Sequence, residues 1–186
     1  MKKHLSKLLS FFLCMSFFVT ISNKANAAEE IIPVNISVQY GQTEARTILN
    51  MINEMRTSDC DAWCWDETNT VQVSYLSAAL TYDYELEKLA MKRAAELVIR
   101  YDHTRPNNEG LSSIYKEENI TDFQSAGENI AIGYPSAQAV NTAWREDGED
   151  YNGQGHRRNM LNPKFNCVGI GHVKYDGCDY WVEEFA

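Results

Sequence analysis

After its first two dozen residues, this chain has no apolar run approaching the roughly 20 residues a membrane helix needs. It contains no Gly-x-Ser-x-Gly and no His-Glu-x-x-His, which excludes the serine nucleophile elbow and the zinc-protease helix that those patterns build. Its aspartates near residue 60 lack the Asp-x-Asp-x-Asp-Gly spacing of a calcium loop and read as a solvated face. It has no internal repeat and no low-complexity tract. Positive charge is scarce, with 17 lysines and arginines against 26 acids in 186 residues.

Three of the lysines stand at the very start. Lys2, Lys3 and Lys7 precede the apolar run from Leu8 to Ile21, and Ala25-Asn26-Ala27 follows as a small-x-small cleavage signature. This is the pattern of a secretory signal peptide over residues 1–27, predicting a secreted, extracellular product. Cleavage near Ala27 leaves 159 residues, the size of one domain, with 13 basic residues against 26 acids. That balance argues against nucleic acid or an anionic membrane as a partner held by charge. Residues 28–42 read as a polar leader, and residues 43–186 as the folded domain.

Four cysteines remain: Cys60, Cys64, Cys167 and Cys178. An even number in an oxidising compartment predicts two disulfides among three connectivities, with Cys60–Cys64 and Cys167–Cys178 favoured. A zinc site at Cys60 and Cys64 is the alternative, though no second tight pair completes it.

Periodicity supplies the elements. Thr43 caps a helix with Ala45, Ile48, Leu49, Ile52 and Met55 on one face. Residues 57–79, with Trp63, Trp65 and alternating Val71, Val73 and Tyr75, suggest a strand or hairpin arm. Asp83 opens the strongest helix, with Leu86, Leu89, Ala90, Ala94, Leu97 and Val98 at helical spacing and acids in its first turn. It ends before His103-Thr104-Arg105-Pro106. Ser136 caps a helix ending at Trp144, and an acidic Gly-rich loop follows, from which His156 emerges. In Val168-Gly169-Ile170-Gly171 the alternation of apolar residue and glycine predicts a strand closely approached by another backbone. The last segments form a hairpin across Tyr175-Asp176-Gly177-Cys178, with His172 on a strand face. Helices first and strands last, without βαβ alternation, predict an α+β fold with an antiparallel sheet.

Laid out in order, His103-Thr104-Arg105-Pro106, Gly127-Glu128-Asn129-Ile130, Trp144, Gly155-His156-Arg157-Arg158-Asn159 and Tyr180-Trp181-Val182-Glu183-Glu184-Phe185 resemble the CAP superfamily. These are the SCP-like domains related to cysteine-rich secretory proteins, antigen 5 and plant pathogenesis-related proteins, and the resemblance is to the bacterial branch. It implies a three-layer α-β-α sandwich and a cleft lined by two histidines and two acids. Carried over by position, these are His103, His156 and Glu128, with Asp147 standing where the family has glutamate and Tyr151 matching the tyrosine beyond it. Aspartate is one methylene shorter, which draws its carboxylate back by roughly 1.5 Å. Glu146 and Glu149 are neighbouring alternatives, ranked after Asp147.

Two imidazoles with one or two carboxylates suit zinc or a similar divalent ion on His103 and His156, with Glu128 and Asp147 as further ligands, or else a water held between them. A satisfied polar cluster on the cleft floor is the plain structural alternative. The absence of the nucleophile-elbow and zinc-protease patterns, and of a free cysteine, makes a secreted binding module without turnover the first expectation; the resemblance points to a lipid, a sterol or a host or cell-surface protein as its extracellular ligand without choosing among them. A metal-assisted hydrolase or peptidase using His103, His156 and Glu128 is the competing expectation.

Overall fold

The computed structural model describes residues 35–121 and 125–186; the expected signal peptide and residues 28–34 of the leader lie outside them. Five strands form the main sheet: β1 (Gln39–Tyr40), β4 (Thr81–Tyr82), β5 (Gly127–Ile132), β6 (Cys167–Tyr175) and β7 (Cys178–Phe185). The order is β1-β6-β7-β5, antiparallel throughout, and β4 joins β6 in parallel. Strands β2 (Trp63–Trp65) and β3 (Gln72–Ser74) make the separate hairpin arm expected from residues 57–79. The leader's last residues take part in the sheet, since β1 pairs with β6 and Gln42 bonds the backbone of Ile170 and His172.

Helices cover both faces. On one lie α1 (Gln42–Ala45), α2 (Ile48–Arg56), α5 (Ala137–Arg145) and α6 (Gly155–Met160), packed through Ile52, Met55, Val140, Trp144 and Met160 onto Val168, Ile170, Trp181 and Phe185. On the other, α3 (Tyr84–Ile99) sets Ala90, Ala94 and Leu97 against Val173 and Val182. The short α4 (Ser112–Glu117) packs Ile114 and Tyr115 beside Leu86 and Leu89. This is the three-layer α+β sandwich. Among the described residues no helix is long and apolar enough to cross a membrane.

Several local readings hold. Asp83 caps α3, accepting from Glu85 N and Leu86 N, and Ser136 caps α5, accepting from Ala139 N. Asp176 and Gly177, at φ 47° and 76°, make the tight turn of the β6–β7 hairpin. Gly169 and Gly171 are where α3 meets the sheet backbone to backbone. A Cβ on Gly169 would stand 2.1 Å from Glu87 N and from the Leu86 carbonyl carbon. Gly169→Ala is therefore expected to cost roughly 1–3 kcal/mol by overpacking, read as a lower urea midpoint with the m-value unchanged.

Other readings are corrected. The first helix is broken: α1 starts at Gln42 after Gly41, the chain turns at Arg46–Thr47, and α2 begins at Ile48, so Thr43 is no cap. The favoured Cys167–Cys178 bridge is excluded by register. Cys178 lies opposite Tyr175 at the turn, while Cys167 bonds Ala186 at the other end of β6. Eight residues of strand separate the two positions, roughly 26 Å, far beyond disulfide reach. Cys60, exposed, and Cys64, buried on β2, are also unbridged, and all four thiols are free. The acids of the arm are not simply solvated: Asp61 pairs with Arg145 at 2.6 Å, and Asp66 accepts from Thr70 N and Val71 N to hold the hairpin turn.

Candidate functional site

His103 follows α3 on the exit loop, Glu128 is the second residue of β5, and His156 opens α6, so it stands in a helical first turn rather than on a loop. These three predicted residues line one hollow of about 300 Å³, together with Glu146, Asn152, Gly153 and Asn159. Asp147 does not line it. Its carboxylate pairs with Arg157 at 2.5 Å and Arg145 at 2.9 Å.

The acid facing His156 is Glu146. It terminates α5 in the left-handed region, at φ 50° and ψ 37°, a conformation that costs an L-residue roughly 1–2 kcal/mol. That reversal aims its side chain back at the start of α6. One carboxylate oxygen accepts from His156 N at 2.9 Å and Arg157 N at 3.2 Å, and the other meets His156 Nδ1 at 2.5 Å. A carboxylate on a helix N-terminus complements its unpaired N–H groups, which offsets the backbone cost.

Glu128 plays the same part for His103, whose Nδ1 lies 2.8 Å from it. It is buried, its side chain 2 % exposed, and fully buried Arg93 holds it at 2.6 and 3.3 Å. Burial pushes the Glu128 carboxyl up, and the hydrogen bonds from His103 and Arg93 outweigh it, leaving it below the usual carboxylate range. The His103 imidazole is raised, chiefly by its hydrogen bond to Glu128 and against the opposing effect of burial. Its contribution to stability is thus full below its unfolded value near 6.5 and is lost as pH rises through the higher folded value. Glu128→Gln is expected to lower the His103 pKa, checked by imidazole proton shifts in an NMR pH titration; an unmoved His103 would contradict the pairing.

Each imidazole therefore has Nδ1 engaged by a carboxylate, the arrangement that fixes a tautomer and presents Nε2. Neither Nε2 has a protein partner among the described residues. Among those residues, too, no three His, Cys, Asp or Glu side chains are grouped to hold one metal ion. The carboxylates are occupied by arginine and main-chain donors, so two imidazole nitrogens are what the hollow offers.

Behind the hollow runs a polar network. Asn129, mid-strand on β5, donates to Glu183 at 2.8 Å and to His156 O at 3.2 Å, while Asn159 donates to Asn129 at 2.8 Å and to Glu128 O at 3.2 Å. Tyr151 stays outside the hollow, its ring under Arg158. Arg157 ties the hairpin arm to the site: it bonds the Trp63 carbonyl at 2.6 Å, the Asp61 carbonyl and the Arg145 carbonyl at 2.9 Å. Sequence reasoning passed over Arg93, although a signal was there. It falls at helical spacing among Leu86, Leu89, Ala90, Ala94 and Leu97, so an arginine on that face must be buried and paired.

A second hollow of about 470 Å³ adjoins the first and shares Glu146, Gly153 and His156 with it; Tyr101, Ile130, Tyr134 and Trp144 form its apolar wall. The helix-sheet-helix sandwich is the fold of SCP-domain proteins. Over residues 49–185 the sequence matches the Cysteine-rich secretory protein family, CAP, and the chain belongs to that family. It is 32% identical over 108 residues to the uncharacterized protein YkwD of Bacillus subtilis, a match covering 57% of this chain and 38% of that one. Among solved structures, it is similar to an extracellular protein containing an SCP domain from Bacillus anthracis, with a TM-score of 0.57 and 22% identity over 77% of this chain and 40% of the other. An outer surface protein of Borrelia burgdorferi aligns with a TM-score of 0.59 and 20% identity, over 80% of this chain and 96% of that one. At those identities the structural likeness speaks for the fold alone. The match spans well under half of YkwD and of the Bacillus anthracis chain.

Proposed function

We propose that this is an extracellular CAP-family binding module that holds a ligand in the cleft around His103 and His156 without turning it over. The secretory pattern of residues 1–27 supports the location. The observation that carries the reading is the commitment of both cleft carboxylates. Glu128 is held by Arg93 and His103, and Glu146 by two main-chain N–H groups and His156. A general base must reach the proton it removes, and each of these acids is already engaged by three nitrogen groups of the protein.

One feature favours a second reading, a metal-assisted hydrolase. Carboxylates on both Nδ1 atoms are what orients Nε2 toward a divalent ion such as zinc. Among the described residues no group supplies the three protein ligands of a catalytic zinc centre, and the hydrolase takes second place.

The test compares mature wild-type protein with a His103→Ala/His156→Ala double variant for zinc content, lipid and sterol binding, and hydrolysis of a peptide mixture. Ligand binding that weakens in the double variant, with no hydrolysis in either protein, is the expected result. Hydrolysis abolished by the double variant would overturn the module reading. Binding indifferent to both histidines would move the functional surface away from the cleft.

A further inference from the structure

The two adjoining hollows set spare hydrogen-bonding groups beside open aromatic surface. In the smaller one, what the protein leaves unused is mostly acceptor capacity. With a carboxylate on Nδ1, each neutral imidazole keeps its proton there and leaves Nε2 as an acceptor. Asn159 spends its Nδ2 on Glu128 O and Asn129, and its Oδ1 has no partner among the described residues. The side chain of Asn152, exposed on the same lining, makes no hydrogen bond among those residues. Gly153 lines both hollows, and the Glu149 side chain lies against it, 2.8 Å from where a Cβ would stand. The Glu149 carboxylate is exposed and unpaired among the described residues.

The larger hollow adds surface of another kind. Tyr101 and Tyr134 are 48 % and 37 % exposed, leaving aromatic faces open to water. They are neighbours: burial pushes the Tyr101 phenol up, and Tyr134 adds to the rise. Ile130 and buried Trp144 complete the apolar side. The Tyr134 hydroxyl has no partner among the described residues, and Tyr101 OH, which donates to Ile130 O at 3.4 Å, still has an oxygen able to accept.

This lining discriminates between kinds of ligand. An acyl chain or a sterol would cover the tyrosine faces but strip water from the acceptors, at roughly 1–3 kcal/mol for each one buried without a donor. An anion would bring its charge against Glu149 in an acid-rich protein. An uncharged polyol ring meets both demands. Its hydroxyls donate to acceptors and also accept from an imidazole that carries a second proton, while its C–H face is apolar and packs on an aromatic ring. At about 300 and 470 Å³ the hollows are also of small-ligand size.

We infer that the joined hollows bind a neutral oligosaccharide, its hydroxyls bonded to His103, His156, Asn152, Asn159 and Glu149 and one sugar ring lying on Tyr134. The inference rests on the binding-module reading and names its ligand.

The probes are chitotriose, cellotriose and maltotriose as neutral trisaccharides, trigalacturonate as an anionic one, and oleate as the lipid arm. Each is titrated into mature protein by calorimetry at two salt concentrations, with imidazole nitrogen shifts followed by NMR. At least one neutral trisaccharide should bind with an affinity indifferent to salt and move the Nε2 resonances of both histidines. Trigalacturonate should bind more weakly, by roughly tenfold or more. Tyr134→Ala should weaken the neutral sugar roughly tenfold, as loss of an aromatic anchor does. Asn152→Ala should weaken it roughly three- to tenfold, the worth of one hydrogen bond. Tyr84, 61 % exposed at the start of α3 and roughly 24 Å of helix from its exit, lines neither hollow, and Tyr84→Ala is the control that should change nothing. Thermal unfolding of each variant separates lost binding from lost fold.

No binding of any neutral trisaccharide at millimolar supply overturns the inference. So do an affinity that falls with salt, histidine resonances that stay put, or equal weakening by Tyr134→Ala and Tyr84→Ala. Oleate binding that depends on Tyr134, without sugar binding, would overturn it while leaving the module reading intact. Shortening of a trisaccharide that stops in the histidine double variant would instead overturn the module reading itself.

Discussion

Replacing Glu183 with glutamine is expected to make the protein more stable at pH 8–9 and to remove much of its stability loss over the preceding pH units. Glu183 is fully buried on β7, where burial raises its carboxyl to about 8 against one opposing hydrogen bond, from Asn129. Its other oxygen, Oε1, has no partner among the described residues. In the unfolded chain the same carboxyl ionises near its ordinary value, around 4.5. Between those two values the native state keeps a proton that the unfolded state has shed, so stability falls as pH rises. The full difference is on the order of 4–5 kcal/mol.

Glutamine reproduces the shape of the protonated acid, accepts from Asn129 in the same way and cannot ionise. Urea titrations at pH 5, 7 and 9 should show a falling midpoint for wild type and a much flatter one for the variant. Some slope will remain, because Glu184 is also raised well above the usual range by burial and by Glu128 across the strand pair, and contributes with the same sign. Parallel pH profiles for the two proteins would show that Glu183 does not carry this dependence.

Arg56→Met is expected to cost on the order of 4 kcal/mol or more and to leave the protein marginal at 37 °C. The Arg56 guanidinium is buried with no carboxylate partner among the described residues. It donates to four carbonyls, those of Ala78 at 2.8 Å, Met160 at 2.7 Å, Asn162 at 3.1 Å and Phe165 at 3.2 Å. Burial lowers it to about 10, so it is still charged at neutral pH. Methionine fills similar space yet strands those acceptors, each at roughly 1–3 kcal/mol when buried without a donor. The carbonyls belong to the approach to β4 and to the stretch from α6 to β6, so hydrogen exchange should quicken there first. Arg56→Lys, a cation with fewer and differently placed donors, should fall between. A loss below about 1 kcal/mol for Arg56→Met would mean that water replaces the guanidinium.

Much of the fold was readable because its signals are local. Asp83 and Ser136 precede apolar periods as caps, Asp176-Gly177 is a tight-turn pair, and the glycines of β6 mark the approach of α3. What could not be read depends on partners distant in sequence or on unusual backbone. Spacing places Asp147 ahead of Glu146 because it does not reveal a left-handed residue, and the Glu146 backbone turn decides which carboxylate reaches His156. The adjacent acids Glu183 and Glu184 would ordinarily place at least one side chain in water. Here β7 is covered on both faces, so both are buried, a consequence of layering that no window of sequence contains. The cysteine pairing failed for the same kind of reason, since only strand register sets Cys167 and Cys178 apart.

That separation has a practical consequence. Two thiols at opposite ends of one rigid hairpin, with Cys60 and Cys64 changed to serine, form a native attachment pair for spin labels. Their dipolar coupling would then report the length of the β6–β7 ribbon directly, and any fraying of its ends on ligand loading would broaden the distance distribution before a bulk melting signal changed.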